Sequence, residues 1–152
     1  MWQRVFSRSG QTPSPSGMVA ALHEAGFPVI PAFKGDDLGW TDAELILPGD
    51  ASPILIARYL TVEDDLRDDL NSYAAELETM ATTPQITRLM ERVIQSAQMF
   101  VMRKPVGTAN ESRMEALFDF LTRWLARETD GDIQVDGVGW NDKNGAMLLR
   151  EV

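Results

Sequence analysis

Asp64-Asp65-Leu66-Arg67-Asp68 is an aspartate-rich string of the kind that grips magnesium or calcium through paired carboxylates. Such strings work when a large helical cup brings two of them together, and a chain of 152 residues with many strand-like runs has no room for one. Glu63, Asp64 and Asp65 are better explained as a helix start, where the free N–H groups and the macrodipole favour carboxylates. The dipole does not reach the next two turns. There Asp65, Asp68, Asp69 and Glu76 gather with Ser72 on one flank, within about 100° of helix, while Arg67 projects from the other. Such a ribbon is most often a solvated face that confers solubility. Its functional reading is a docking face for a basic protein partner, whose arrival complementary charge would speed.

Trp40 and Trp140 are the second pair of candidates. Each follows a glycine at a strand end, where an indole can stack on a ligand, anchor an interface, or close the end of a core. His23 is the only histidine, so a two-histidine metal site is excluded, and its neighbours supply no nucleophile. Zero cysteines exclude thiol catalysis, disulfides and cysteine-based zinc or iron–sulfur sites. The stretch Gly35 to Gly39 holds two aspartates, which repel the phosphates that a glycine-rich loop cradles. The expectation is therefore no catalytic residue, no metal and no cofactor.

Lys plus Arg number 14 against 23 Asp plus Glu, a formal charge of −9, so the mean field repels nucleic-acid backbones and anionic lipid. No apolar run approaches the roughly 20 residues that span a bilayer, and the segment Met1 to Arg8 lacks the apolar core of a secretory signal. The expected location is the cytoplasm. Hydrophobic residues at 44% and charged residues at 24% are ordinary for one globular domain, 1–152.

The pattern predicts an α+β fold, a mainly antiparallel sheet with helices packed on one face. Trp2 to Ser7 reads as a strand. Ser14-Pro15 starts a helix through Met18, Val19 and Leu22 that stops at Gly26. Phe27 to Phe33 is an edge strand or extended loop, because Pro28 and Pro31 lack an N–H. Ala43 to Leu47 and Ile54 to Leu60 form a hairpin around Pro48 to Pro53. Thr61 and Asp64 make a capping box for a helix with a stripe of Val62, Leu66, Leu70, Tyr73, Leu77 and Met80. A second helix starts at Thr82 to Pro84 and carries Ile86, Leu89, Met90, Val93 and Ile94. Ala97 to Met102 is a central strand buried on both faces. Asn110 or Thr108 caps a helix whose apolar face, from Met114 to Leu125, spans about 160° and needs a sheet plus a neighbour. Asp130-Gly131 ends it, Ile133 to Val138 is a strand, and Asp142 to Gly145 turns a hairpin into Ala146 to Val152.

Asp36-Asp37-Leu38-Gly39-Trp40-Thr41-Asp42 aligns with Asp136-Gly137-Val138-Gly139-Trp140-Asn141-Asp142. Two readings stand: a duplication of 1–60 and 97–152 joined by a helical connector at 61–96, or two similar turns. A duplication implies strand-helix-strand-strand units in pseudo-twofold arrangement. That element order is similar to the gyrase-inhibitor-like effector-binding domains, and the resemblance implies a small-molecule groove between the halves. The leading functional expectation is a non-enzymatic adaptor- or immunity-type domain that binds a protein through Asp65, Asp68, Asp69 and Glu76. The alternative is a domain for cationic or aromatic small molecules near Trp40 and Trp140, and a carboxylate-based hydrolase comes third.

Overall fold

Val5 and Phe6 are adjacent and both fully buried. A strand allows this only where both faces of its sheet are covered, because successive side chains point to opposite sides. The computed structural model describes residues 2–62, 66–80 and 83–151. In it β1 (Trp2–Ser7) lies mid-sheet, between β5 (Gln98–Arg103) and β6 (Gly131–Val135). The other strands are β2 (Ile30–Asp36), β3 (Gly39–Ile46), β4 (Ile54–Leu60), β7 (Gly139–Asn141) and β8 (Met147–Arg150). The order is β2-β3-β4-β5-β1-β6-β7-β8, antiparallel throughout.

The helices are α1 (Pro15–Glu24), α2 (Arg67–Glu78), α3 (Pro84–Ile94) and α4 (Glu111–Thr129). Caps set three of their starts: Ser14, Thr83 and Asn110 accept from Gly17, Ile86 and Arg113 N–H groups. The helices divide between the two faces of the sheet rather than sharing one. Val5, Phe100 and Met102 pack with α1 and α4, and Phe6 and Met99 pack with α2 and α3. Strands that are apolar on both sides demand a layer on each.

The broad stripe of α4 is buried as its width requires: Met114, Leu117, Phe118, Leu121 and Leu125 are all in the core, with Phe120 and Trp124 half-buried beside it. Leu121→Ala is expected to lower the unfolding free energy by about 2–5 kcal/mol, read from the urea midpoint, because burial is lost and a cavity remains.

Three expectations are revised. Thr61 does not cap α2: its N–H donates to Ala97 O and its Oγ1 to Ser96 O at 2.8 Å, extending the pairing of β4 with β5. Sheet pairing thus outcompetes the capping box, whose Asp64 lies outside the described residues. The helix begins only at Arg67, after an N-cap Leu66 without a side-chain bond, and Val62 is 95% exposed. Ile133 to Val138 ends as a strand at Val135 because Gly137, at φ 76°, turns the chain into β7.

The strand order also lacks the anticipated twofold symmetry. In the second half, β6 pairs with central β1 and the meander runs outward. In the first half β2 is an edge, the meander runs inward, and β4 meets β5. The aligned glycines differ as well. Gly139 has φ 139° and lies so close to Leu149 O that a side chain has no room, whereas Gly39 meets nothing and has no such strain.

Candidate functional site

α2 is amphipathic, with Leu66, Leu70, Ala74 and Leu77 inward. Arg67 on one flank reaches the carbonyl of Ile94 at the end of α3. The opposite flank therefore faces away from α3 and carries Asp68, Asp69, Ser72 and Glu76, all exposed. Asp65 lies outside the described residues. Among the described residues, Asp68, Asp69 and Glu76 enter no ion pair.

Beside this flank the sheet supplies partners that sequence order separates widely. Tyr73 packs edge-on against Phe6 at 5.0 Å and against Trp140 at 6.5 Å, and the Arg4 guanidinium lies over its ring at 5.6 Å. Arg4 also donates to Asp136 at 2.8 Å and Gln134 at 2.9 Å. Burial first, then the charges of Asp136, Asp69 and Glu76, hold the Tyr73 phenol above its ordinary value against the pull of Arg4. A dimple of about 20 Å³ opens here, with Tyr73, Met80 and Trp140 among its walls and Glu76 and Glu151 on its rim. Tyr73, Asp136 and Glu151 were not among the sequence candidates. The 3.6-residue period put Tyr73 on the core stripe, but only the strand order brings the acids after β6 and at the end of β8 to the same place.

The two tryptophans do not share a pocket. Trp140 is in the α2–α3 layer, tilted on Phe6 at 5.0 Å. Trp40 is on the opposite face, 2% exposed, between Phe33 and Phe100, with its Nε1–H donating to Pro13 O at 2.9 Å. Its role is core closure, so the small-molecule groove lined by both indoles is not formed. His23 Nε2 is engaged by the carbonyl of Val29 at 2.9 Å.

A third constellation was not anticipated. Asp132, 3% exposed, accepts on one oxygen from Arg8 Nη2 and from Arg92 Nε, each at 2.8 Å. Arg92 also pairs with Asp130 at 3.2 Å, and Lys143 approaches Asp130 at 3.5 Å. Burial pushes the Arg8 guanidinium down to about 10, with Asp132 pulling the other way, so it stays cationic at neutral pH. Burial opposes the charged form of Arg92 too, yet its bonds to Asp132 and Asp130 raise it above its usual value. Burial likewise disfavours ionised Asp130, and Arg92 and Lys143 more than compensate and lower it. With their oxygens held by guanidinium groups, these acids fasten β1, α3 and β6 together. Beside them opens a cleft of about 670 Å³ between α3 and the β7–β8 hairpin, lined by Arg88, Leu89, Lys143, Asn144 and Leu148.

No protein-family model, curated protein or solved structure matches this chain. Among the described residues no group of three or more His, Asp or Glu side chains is placed to hold a metal ion. None of their helices is long and apolar enough to cross a membrane.

Proposed function

We propose that the protein acts by binding a basic protein partner along the acidic flank of α2, with the dimple at Tyr73 and Trp140 receiving a lysine or arginine side chain. The observation that carries this reading is an aromatic-walled depression of about 20 Å³ with Glu76 and Glu151 at its edge, next to a Tyr73 phenol that also feels the charges of Asp69 and Asp136. That volume suits an ammonium group, aromatic faces attract cations, and surrounding carboxylates reinforce the attraction. Arg4 balances only part of this charge, because it is committed to Asp136.

The test is a triple variant, Asp68→Asn, Asp69→Asn and Glu76→Gln. These side chains are exposed, so the denaturant midpoint should stay near the wild type. Material retained from the source cells by wild type and triple variant is compared, and association of the purified pair is then timed. The on-rate should fall at low salt and converge with the wild type near 1 M, where the Debye length is about 3 Å. Equal on-rates at low salt would exclude the flank.

A second reading has its own observation. The cleft of about 670 Å³ beside Asp132 is within the size range of small-molecule sites and combines apolar Leu89 and Leu148 with Arg88 and Lys143. It moves the small-molecule alternative away from the tryptophans.

A further inference from the structure

Both guanidinium bonds to Asp132 fall on one oxygen, Oδ2, from Arg8 Nη2 and Arg92 Nε at 2.8 Å each. The other oxygen, Oδ1, accepts from no side chain or backbone group among the described residues. The side chain is only 4% exposed, yet among those residues no sealed side-chain oxygen or nitrogen lacks a partner. Oδ1 is therefore unpaired but not sealed in, and the accessible area that Asp132 keeps lies on the cleft it lines between α3 and the β7–β8 hairpin. A carboxylate oxygen at the back of a cleft needs a donor, which water or a ligand must supply.

Cations with donors to spare surround it. Arg92 spends Nε and Nη2 on Asp132 and Asp130, and its Nη1 has no partner among the described residues. Arg88 lies one turn earlier on the same face of α3, with Cβ atoms about 5–6 Å apart at that spacing. Its side chain is exposed and forms no ion pair among the described residues. Lys143 reaches over from the hairpin with Asp130 at 3.5 Å. The carboxylates of the cleft are already engaged: Asp130 by Arg92 and Lys143, Asp132 by two guanidinium groups, Asp142 by the backbone N–H groups of Asn144 and Ala146. An anion is thus welcome here in a chain whose overall charge is −9. Leu89 and Leu148 add an apolar wall.

We infer that the cleft binds a small hydroxycarboxylic acid with an apolar tail: its carboxylate on Arg88 and Lys143, its hydroxyl donating to Asp132 Oδ1, its tail against Leu89 and Leu148. The inference rests on the cleft as a small-molecule site and names the ligand class, and it is independent of the α2 flank. A hydroxyl suits Oδ1 better than an ammonium group, because Arg8 and Arg92 already offset the charge of Asp132 and would repel a cation placed beside it. A carboxylate suits Arg88, whose planar guanidinium can hold it through two parallel hydrogen bonds.

The probe is phenyllactate, titrated into the full chain by calorimetry and followed by backbone amide shifts. Phenylpropionate lacks its hydroxyl, phenylalanine carries an ammonium group instead, and phenyllactamide has no charge. Each should bind about tenfold or more weakly than phenyllactate, a difference of about 1.4 kcal/mol apiece. The shifts should fall on α3 and the β7–β8 hairpin. Arg88→Gln changes an exposed side chain without an ion pair, so its denaturant midpoint should match the wild type. It should weaken phenyllactate about tenfold or more and leave phenyllactamide unchanged. Asp132→Asn, with its midpoint checked, should close the gap between phenyllactate and phenylpropionate, because its amide turns the oxygen to the guanidinium groups and its donors to the cleft.

Equal binding of phenylpropionate and phenyllactate in the wild type would overturn the hydroxyl contact, and tighter binding of phenylalanine would replace the hydroxy acid with an amino acid. Phenyllactate binding that Arg88→Gln does not weaken would overturn the carboxylate contact. If phenyllactamide shifts the cleft amides as strongly as phenyllactate, the cleft stands as a small-molecule site and the ligand class is overturned. No shift at the cleft with any of the four at millimolar concentration would overturn the site and the ligand class together, while the α2 reading stays with its own test.

Discussion

Asp132→Ala is expected to lower the unfolding free energy by about 3–5 kcal/mol, among the largest effects available to a single substitution here. The alanine leaves the Arg8 and Arg92 guanidinium groups near one another with their shared carboxylate gone. Each already opposes the other's charge, and the 3%-exposed site gives little access to water. Arg8 keeps bonds to the carbonyls of Asp130 and Arg92, at 3.1 and 2.8 Å, which places the cost nearer the lower end. The double variant Arg8→Met, Asp132→Ala should recover part of the loss, because the stranded Arg8 charge just after β1 is gone. Urea unfolding of the wild type, Arg8→Met, Asp132→Ala and the double variant at neutral pH measures this directly. A single variant within about 0.5 kcal/mol of the wild type would show that the cluster contributes nothing to stability.

Trp40→Ala should cost a comparable amount, about 3–5 kcal/mol, through loss of a ring buried between Phe33 and Phe100. Its indole N–H also anchors the Pro13 carbonyl, and its own carbonyl accepts from Arg58 Nη1 at 3.2 Å. Trp40→Phe keeps most of the apolar volume and should cost clearly less. A thermal or denaturant midpoint unchanged in Trp40→Ala would return this residue to the list of binding side chains. A large drop identifies it as core.

The local elements were legible where side chains encode them locally. Ser14-Pro15 and Asn110 announce helix starts, Pro31 announces an edge, and the doubly apolar run at Met99 to Met102 announces a central strand. What the sequence concealed is long-range. Thr61 carries a credible cap signal, but its hydrogen-bonding groups are taken by Ser96 and Ala97, which no local pattern reveals. The similar Gly-Trp turns suggested symmetric halves, yet strand order depends on which edges find each other, and the meanders run in opposite senses. The acidic flank was visible as helical spacing in Asp68, Asp69 and Glu76. Its continuation through Asp136 and Glu151 was not, because those residues reach Tyr73 only through the pairing of β1 with β6 and of β7 with β8.

The position of β1 bears on how the chain is made. Gln3 is paired with Met102 on one side and Val135 on the other. Within this sheet β1 thus precedes both of its neighbours, which are synthesised only after β2, β3 and β4. Until then Val5 and Phe6 belong to a segment with no sheet to join, and β4 presents a bare edge. Closing loops this long costs entropy before any contact repays it, so a slow, late-committing nucleus is the natural outcome. Nascent chains halted before β5 should be unusually attractive to chaperones and prone to associate through the β4 edge.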